Sequence, residues 1–313
     1  MRASTAVPAT IAAYLLFSLS APLTRWLMER GESTDAVSFC NLLTVGNTAA
    51  AVLAIGIYGP ITTLRPLRHL TPRSGLSLFA TVLLSVAAPA TFFFALASTS
   101  VANVILISRA GPVFFALIGT IALRKPVTRN QWIGYGFILT AIALAVLGSS
   151  DAMICWGDAL ALMAALGAAM ASILGRPALD HMGLGPFVFA RNALAAAAFA
   201  GIAVYFFGVG HFADLLDPSI VAGVAVYGVL VVGLAQLLWF HAIVHAPPAT
   251  VGGWSFLSPL SAITLSIVLL GQRPHPAQWA SLGLVMIGMF IASRRRHDAA
   301  PNPPPLTTLA AAR

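Results

Sequence analysis

Charge is what this chain has least of. Only 8% of its 313 residues are Asp, Glu, Lys or Arg, against about a quarter in a soluble globular protein, while 59% are hydrophobic. That imbalance excludes a water-soluble domain and leaves an integral membrane protein. Cysteine is nearly absent too: Cys40 and Cys155 cannot build a disulfide framework, and they read as two packing residues near one membrane face. Acidic groups are missing from the span interiors, with only Glu29 and Asp158 near span ends. A cation-for-proton antiporter needs an intramembrane carboxylate that binds either cation in turn, so that mechanism is disfavoured. No nucleophile-and-base pair and no cluster of metal ligands is evident, which disfavours an enzyme acting on lipid headgroups. His241 and His245 stand one helical turn apart, but without the glutamate of a metalloprotease helix or further ligands no metal site follows. No cofactor is implied.

Apolar stretches recur at about 8–28, 36–58, 76–98, 100–123, 131–148, 157–175, 186–208, 219–243, 248–270 and 277–293. Each approaches the roughly 20 residues needed to cross about 30 Å of hydrocarbon, which predicts ten helices. The first stretch runs through Leu27 and is read as a span rather than a signal peptide. Abundant Gly, Ala and Ser suits close helix packing inside lipid, where burial out of water supplies no drive.

Arginine and lysine placement predicts orientation, because positive loops stay cytoplasmic. With the amino terminus inside, Arg2, Arg65, Arg68, Arg73, Arg124, Lys125, Arg129, Arg176, Arg294, Arg295, Arg296 and Arg313 fall on the cytoplasmic side, whereas the outer side keeps Arg25, Arg30 and Arg273. Outer loops carry Glu32, Asp35, Asp151, Asp214 and Asp217. The net charge of +8 is this bias, and a nucleic-acid partner is not needed to explain it. Residues 295–313, rich in proline, read as a disordered cytoplasmic tail.

A shift of 147 residues aligns the chain with itself. Ala102, Val104, Ser108, Pro112, Leu123, Gln131, Trp132 and Gly136 fall on Ala249, Val251, Ser255, Pro259, Leu270, Gln278, Trp279 and Gly283. Upstream, Val82, Leu83, Ala88, Phe93 and Ala95 match Val229, Leu230, Ala235, Phe240 and Ala242. The reading is two five-helix units, 1–149 and 150–294. Five is odd, so the second unit enters the membrane from the other side. Such inverted repeats can exchange conformations about a fixed central site, which is the mechanical basis of alternating access.

With its stretches "SRAGPVFFALIGTIALRKPVTRNQWIGYGFILTAIAL" and "SFLSPLSAITLSIVLLGQRPHPAQWASLGLVMIGMF", the chain resembles the drug/metabolite transporter superfamily, in particular the ten-helix family with two EamA domains. In that family an acidic residue usually follows the proline-containing helix. Lys125 and Gln272 stand there instead, so neither can do what that acid does. The resemblance implies a cavity lined by helices 1, 3, 4, 6, 8 and 9, and export across a bacterial inner membrane.

Arg109 lies about nine residues, or about 14 Å, into the fourth span, where snorkelling is hardest. A charge at the bilayer centre costs roughly 2.5–3.5 kcal/mol on insertion scales, so it is read as facing the cavity and gripping a carboxylate through its two-pronged guanidinium. Its structural alternative is satisfaction by backbone carbonyls or Asn103. Pro112 lacks an amide hydrogen and is expected to release the carbonyl of Ser108; Pro259 does the same for Ser255 in the matching span. The two kinks and the two serines either form a polar pair in the cavity or merely bend packed helices, the serines bonding to their own backbone. Phe92 and Phe93 match Trp239 and Phe240. With Trp254 and Phe256, these rings are candidates for a wall that stacks flat substrate parts, against ordinary packing as the plainer alternative. His241 is a candidate for cavity polarity and for a titrating role. Arg191 lies about five residues inside the seventh span, within reach of headgroups, and is read as snorkelling. The substrate-binding set is therefore Arg109, Ser108, Ser255, Asn103, Phe93, Trp239, Phe240, His241 and Trp254. The function expected is monomeric transport of a small amphipathic metabolite with an acidic group, amino acids first, with cationic drugs as the alternative cargo.

Overall fold

The computed structural model describes residues 6–30, 39–123, 127–148, 155–216, 221–245, 251 and 254–293. The expected tail over 295–313, the Lys125 position, Glu32, Asp35, Asp151, Asp217 and the side chains of Asp214 and His245 lie outside the described residues.

Nine helices are long and apolar enough to cross a membrane among the described residues, and a shorter apolar one supplies the tenth. They are α1 (Ala6–Glu29), α2 (Cys40–Tyr58), α3 (Pro72–Ser98), α4 (Val101–Ile121), α5 (Arg129–Leu147), α6 (Trp156–Met182), α7 (Leu184–Phe207), α8 (Val221–Ala242), α9 (Leu257–Leu270) and α10 (Pro276–Ser293). Helices dominate because lipid offers no partner to an unbonded backbone group. Local chemistry sets their ends. Thr71 caps α3 by accepting from the Ser74 amide at 3.2 Å, with Pro72 in the first turn. Thr128 and Gln131 form a reciprocal capping box at α5.

Two boundaries differ from the sequence reading. Gly175-Arg176-Pro177 looked like a helix end, yet the Leu179 amide bonds the Gly175 carbonyl at 3.0 Å, so α6 only bends there and runs on to Met182. Proline in the first turn of the new segment costs no bond, since that amide has no partner in any helix start. Gly183 then turns the chain directly into α7 at φ 81°, a conformation open to glycine and strained for other residues. In the ninth span, expected over 248–270, a turn over Trp254–Phe256 stands between helical Val251 and the helix Leu257–Leu270.

The packing obeys an internal two-fold. The pairs α5–α10 and α2–α7 each map onto themselves, while α3 against α6 is answered by α8 against α1, and α4 against α6 by α9 against α1. The α5–α10 seam shows why small residues stand there. A Cβ on Gly134 would lie 2.4 Å from the Gly288 carbonyl oxygen, and one on Gly288 would lie 2.6 Å from the Gly134 carbonyl oxygen. The 147-residue shift carries Gly134 onto Ser281 and Ala141 onto Gly288; Ser281 and Ala141 are fully buried. Small, buried side chains thus occupy the symmetry-related positions of the seam, where close helix packing needs them.

The hairpins alternate sides. At one end, the corner between α3 and α4 meets the starts of α6 and α10. At the other end, His181 in α6 meets the His69 carbonyl before α3. The chain is thus an all-α bundle of ten helices in two inverted five-helix repeats.

Candidate functional site

The centre of α4 is not regular helix. Val101–Ile107 is α-helical, Ser108–Ala110 tightens to a 3-10 turn, and α-helix resumes at Gly111. The cause is Pro112. With no amide hydrogen at position 112, the Ser108 carbonyl accepts from Gly111 instead, one residue nearer. The second repeat does the same: the Ser255 carbonyl accepts from the Ser258 amide at 3.3 Å, just before Pro259. The expectation of two freed carbonyls is corrected on this point. Tightening the turn recaptures both, and each proline marks a change of winding rather than a pair of vacant acceptors. The Ser108 hydroxyl donates to the Ile105 carbonyl at 2.7 Å, the local back-bond of a membrane serine.

The winding change sets the direction of Arg109. Its Nε donates to the Ile105 carbonyl at 3.3 Å and its Nη2 to the Ser108 hydroxyl at 3.2 Å. Guanidinium has five N–H donors, and no other acceptor among the described residues meets this fork. The ion pair that the described residues contain is Arg25–Glu29, at 2.5 Å near a helix end; no carboxylate pairs with Arg109. The residue is deeply enclosed by protein and only part of its surface is accessible.

Tyr14 of α1 lies within electrostatic reach of Arg109. Its hydroxyl donates to the Val251 carbonyl at 3.0 Å, which ties α1 to the start of the ninth span. The Tyr14 ring meets Trp239 of α8 edge-on at 5.4 Å, and Phe17 meets the same indole at 6.3 Å. Trp239 thus belongs to an aromatic cluster with Tyr14 and Phe17, two α1 rings not singled out from sequence. Phe240 points to α7, edge-on to Phe187 at 6.1 Å. Trp254 stacks on Phe256 at 6.2 Å, and His241 is buried in α8. Phe93 lies elsewhere, 3% exposed in the apolar core with Leu23, Leu42, Phe199 and Tyr227. Ahead of the α8 residues the helix widens into a π-helical stretch over Tyr227–Leu234. Such bulges rotate the residues that follow, here Gln236, Trp239 and His241.

Asn103 belongs to a network at the helix ends. Its Oδ1 accepts from Gln278 Nε2 at 2.8 Å, and its Nδ2 faces Asp158 Oδ1 at 3.5 Å. Thr99 donates to the same carboxylate oxygen at 3.0 Å, and Gln278 also donates to the Ser100 hydroxyl at 3.1 Å. The Cys155 amide donates to Asp158 Oδ2 at 3.3 Å. This cluster fastens the α3–α4 corner of the first repeat to α6 and α10 of the second, one turn or more from Arg109. Gln278 was visible in the sequence only as a repeat marker, the match of Gln131.

Arg191 corrects the snorkelling reading. Its Nε donates to the Ser85 hydroxyl of α3 at 2.8 Å, so the side chain turns into the bundle rather than toward headgroups. Ser85 is 6% exposed. The neighbouring Asn192 donates to Gln236 of α8 at 2.7 Å and to the Val188 carbonyl at 2.7 Å. A polar pair beside an intramembrane arginine was the available signal, and its partners on α3 and α8 were not readable from one sequence. Both cysteines are free thiols, Cys40 buried and Cys155 partly so.

An inverted pair of helical repeats, each broken at the same proline, is matched by the family comparison. The model of the EamA-like transporter family matches residues 4–147 and again 155–294. The chain belongs to the EamA-like transporter family. It is 30% identical over 294 residues to the "Uncharacterized transporter sll1164" of Synechocystis sp., covering 90% of this chain and 84% of that one. It is 29% identical over 208 residues to the "Uncharacterized transporter YxxF" of Bacillus subtilis, covering 64% of each. A solved crystal structure at 15% identity covers 92% of this chain and 96% of its own, with a TM-score of 0.62; that likeness concerns the fold. This EamA-like transporter is accordingly a multi-pass membrane protein, and Tyr14 of the first repeat meets Trp239 of the second within it.

Proposed function

We propose that this EamA-like transporter exports a small amphipathic metabolite bearing a carboxylate, amino acids including aromatic ones first, and that Arg109 holds the carboxylate. The observation that carries the reading is an enclosed guanidinium with N–H donors to spare and no acidic partner among the described residues. Substrate carboxylate completes it through a bidentate pair. The Tyr14, Phe17 and Trp239 rings receive the apolar part of the substrate. Alternating access follows from the inverted repeats: α3 and α6 exchange arrangements with α8 and α1, opening the site to either side in turn. The working unit is the monomer, set in the bacterial inner membrane with both termini cytoplasmic.

The test compares one amino acid with its amide in liposome flux or binding, on wild type and Arg109→Gln. The acid should lose about 2–5 kcal/mol of binding, the usual consequence of removing one partner of a buried charge pair, which is roughly 30-fold to a few thousand-fold in affinity. The amide should be spared. Arg109→Lys should rescue poorly, because an ammonium keeps the charge but not the fork. Equal losses for acid and amide in a well-folded variant would remove the carboxylate anchor.

A further inference from the structure

We infer that Arg191 is a second anion anchor and that the preferred substrates are small diacids, acidic amino acids included, held by one guanidinium from each repeat. The inference rests on the Arg109 reading and changes the order of cargo within it, acidic amino acids and other diacids ahead of aromatic ones. Arg191 repeats the features that single out Arg109. It is deeply enclosed with part of its surface accessible. A single protein acceptor, the Ser85 hydroxyl, meets its fork, and no carboxylate among the described residues pairs with it. A purely structural arginine in a membrane bundle has its charge met by carbonyls or an acid; one neutral hydroxyl leaves the positive charge uncompensated.

Position argues for a shared chamber. Arg191 reaches α3, and the adjacent Asn192 reaches Gln236 on α8, so this part of α7 bridges the two helices that exchange under the pseudo-two-fold. One turn beyond Gln236, Trp239 packs on Tyr14, which lies within electrostatic reach of Arg109. On α8, therefore, Gln236 meets the residue next to Arg191, and one turn on Trp239 meets Tyr14. Counting 1.5 Å per residue from the ends of α3 and α4 puts the two levels roughly 8 Å apart along the bundle, an axial offset on the scale of a short diacid.

Alternating access supplies the selection. In the occluded state the chamber is closed to both sides and short of water, so a guanidinium without a counter-ion is strongly disfavoured. A monoacid neutralises one of the two charges. A diacid neutralises both, and its closed state is the one reached readily.

The test measures binding and liposome flux of a five-carbon diacid and its monoamide on purified wild type, Arg191→Gln, Arg191→Lys and Arg109→Gln, with thermal unfolding in detergent as the folding check. Wild type should prefer the diacid at least roughly tenfold. Arg191→Gln should erase that preference while leaving the monoamide, which retains one carboxylate for Arg109, near its wild-type value. Arg191→Lys should keep part of the preference through charge alone. Equal binding of diacid and monoamide by wild type overturns the inference without any variant, and so does an unchanged ratio in folded Arg191→Gln. Failure of the Arg109 reading has a separate signature, the equal loss of acid and amide in Arg109→Gln.

Discussion

Replacing Gly134 by leucine tests whether the α5–α10 seam depends on backbone contact. A Cβ at position 134 would stand 2.4 Å from the Gly288 carbonyl oxygen and 2.7 Å from both the amide nitrogen and the Cβ of Ala292. Two of these atoms are backbone, so no rotamer change relieves the clash, and reaching ordinary contact near 3.4 Å requires the two helices to part by about 1 Å. Overpacking of this kind costs about 1–3 kcal/mol, and separated helices also lose dispersion contacts along the seam, which lipid does not replace with a drive to reassociate. The control sits two residues away: a Cβ on Gly136 would meet nothing within 4 Å, and glycine to leucine there gains helix propensity on the order of 0.5–1 kcal/mol. In detergent, Gly134→Leu should unfold several degrees below wild type, and Gly136→Leu at or above it. Equal melting of the two variants would refute the argument that approach at Gly134, rather than glycine content as such, holds the seam.

Other consequences are open to direct measurement. Single cysteines introduced near Arg68 should be shielded from impermeant reagents in whole cells, while ones near Asp214 should be labelled; the reverse pattern would overturn the proposed orientation. Gln278→Ala leaves Asn103 Oδ1 and the Ser100 hydroxyl without their shared donor, and should cost about 1–3 kcal/mol of stability while leaving the preference for acid over amide unchanged; a selective loss of acid binding would move Asn103 and its partners into the substrate site. Asp158→Ala strips acceptors from Thr99, Asn103 and the Cys155 amide together, so its melting temperature should fall at least as far as that of Gln278→Ala. Thermal unfolding of the pair checks this order.

Composition and spacing reach a long way in this protein because the bilayer is an undemanding reader: it needs runs of apolar length and rejects charge, and both are one-dimensional properties. Ten spans, the self-alignment at 147 residues, the oddness of five that inverts the second repeat, and the candidacy of Arg109 all follow from the chain alone. Which way a side chain faces, and who meets it, does not. Arg191 and Arg109 both read as charges inside apolar runs, yet only the packing of α7 against α3 turns Arg191 inward to Ser85. Asn103 stood close enough to Arg109 in sequence to be grouped with it, but Gln278, 175 positions away along the chain, claims its carbonyl. Phe93 and Phe240 are exact counterparts in the repeat, and one lies in the apolar core while the other meets Phe187. A helix presents a new side chain every 100° or so, so one residue of phase decides between lipid, core and chamber. That phase is set by neighbouring helices and shifted by local changes of winding, the 3-10 turn before Pro112 and the π-helical stretch ahead of Gln236, and what each side chain then meets is decided only once the helices are assembled.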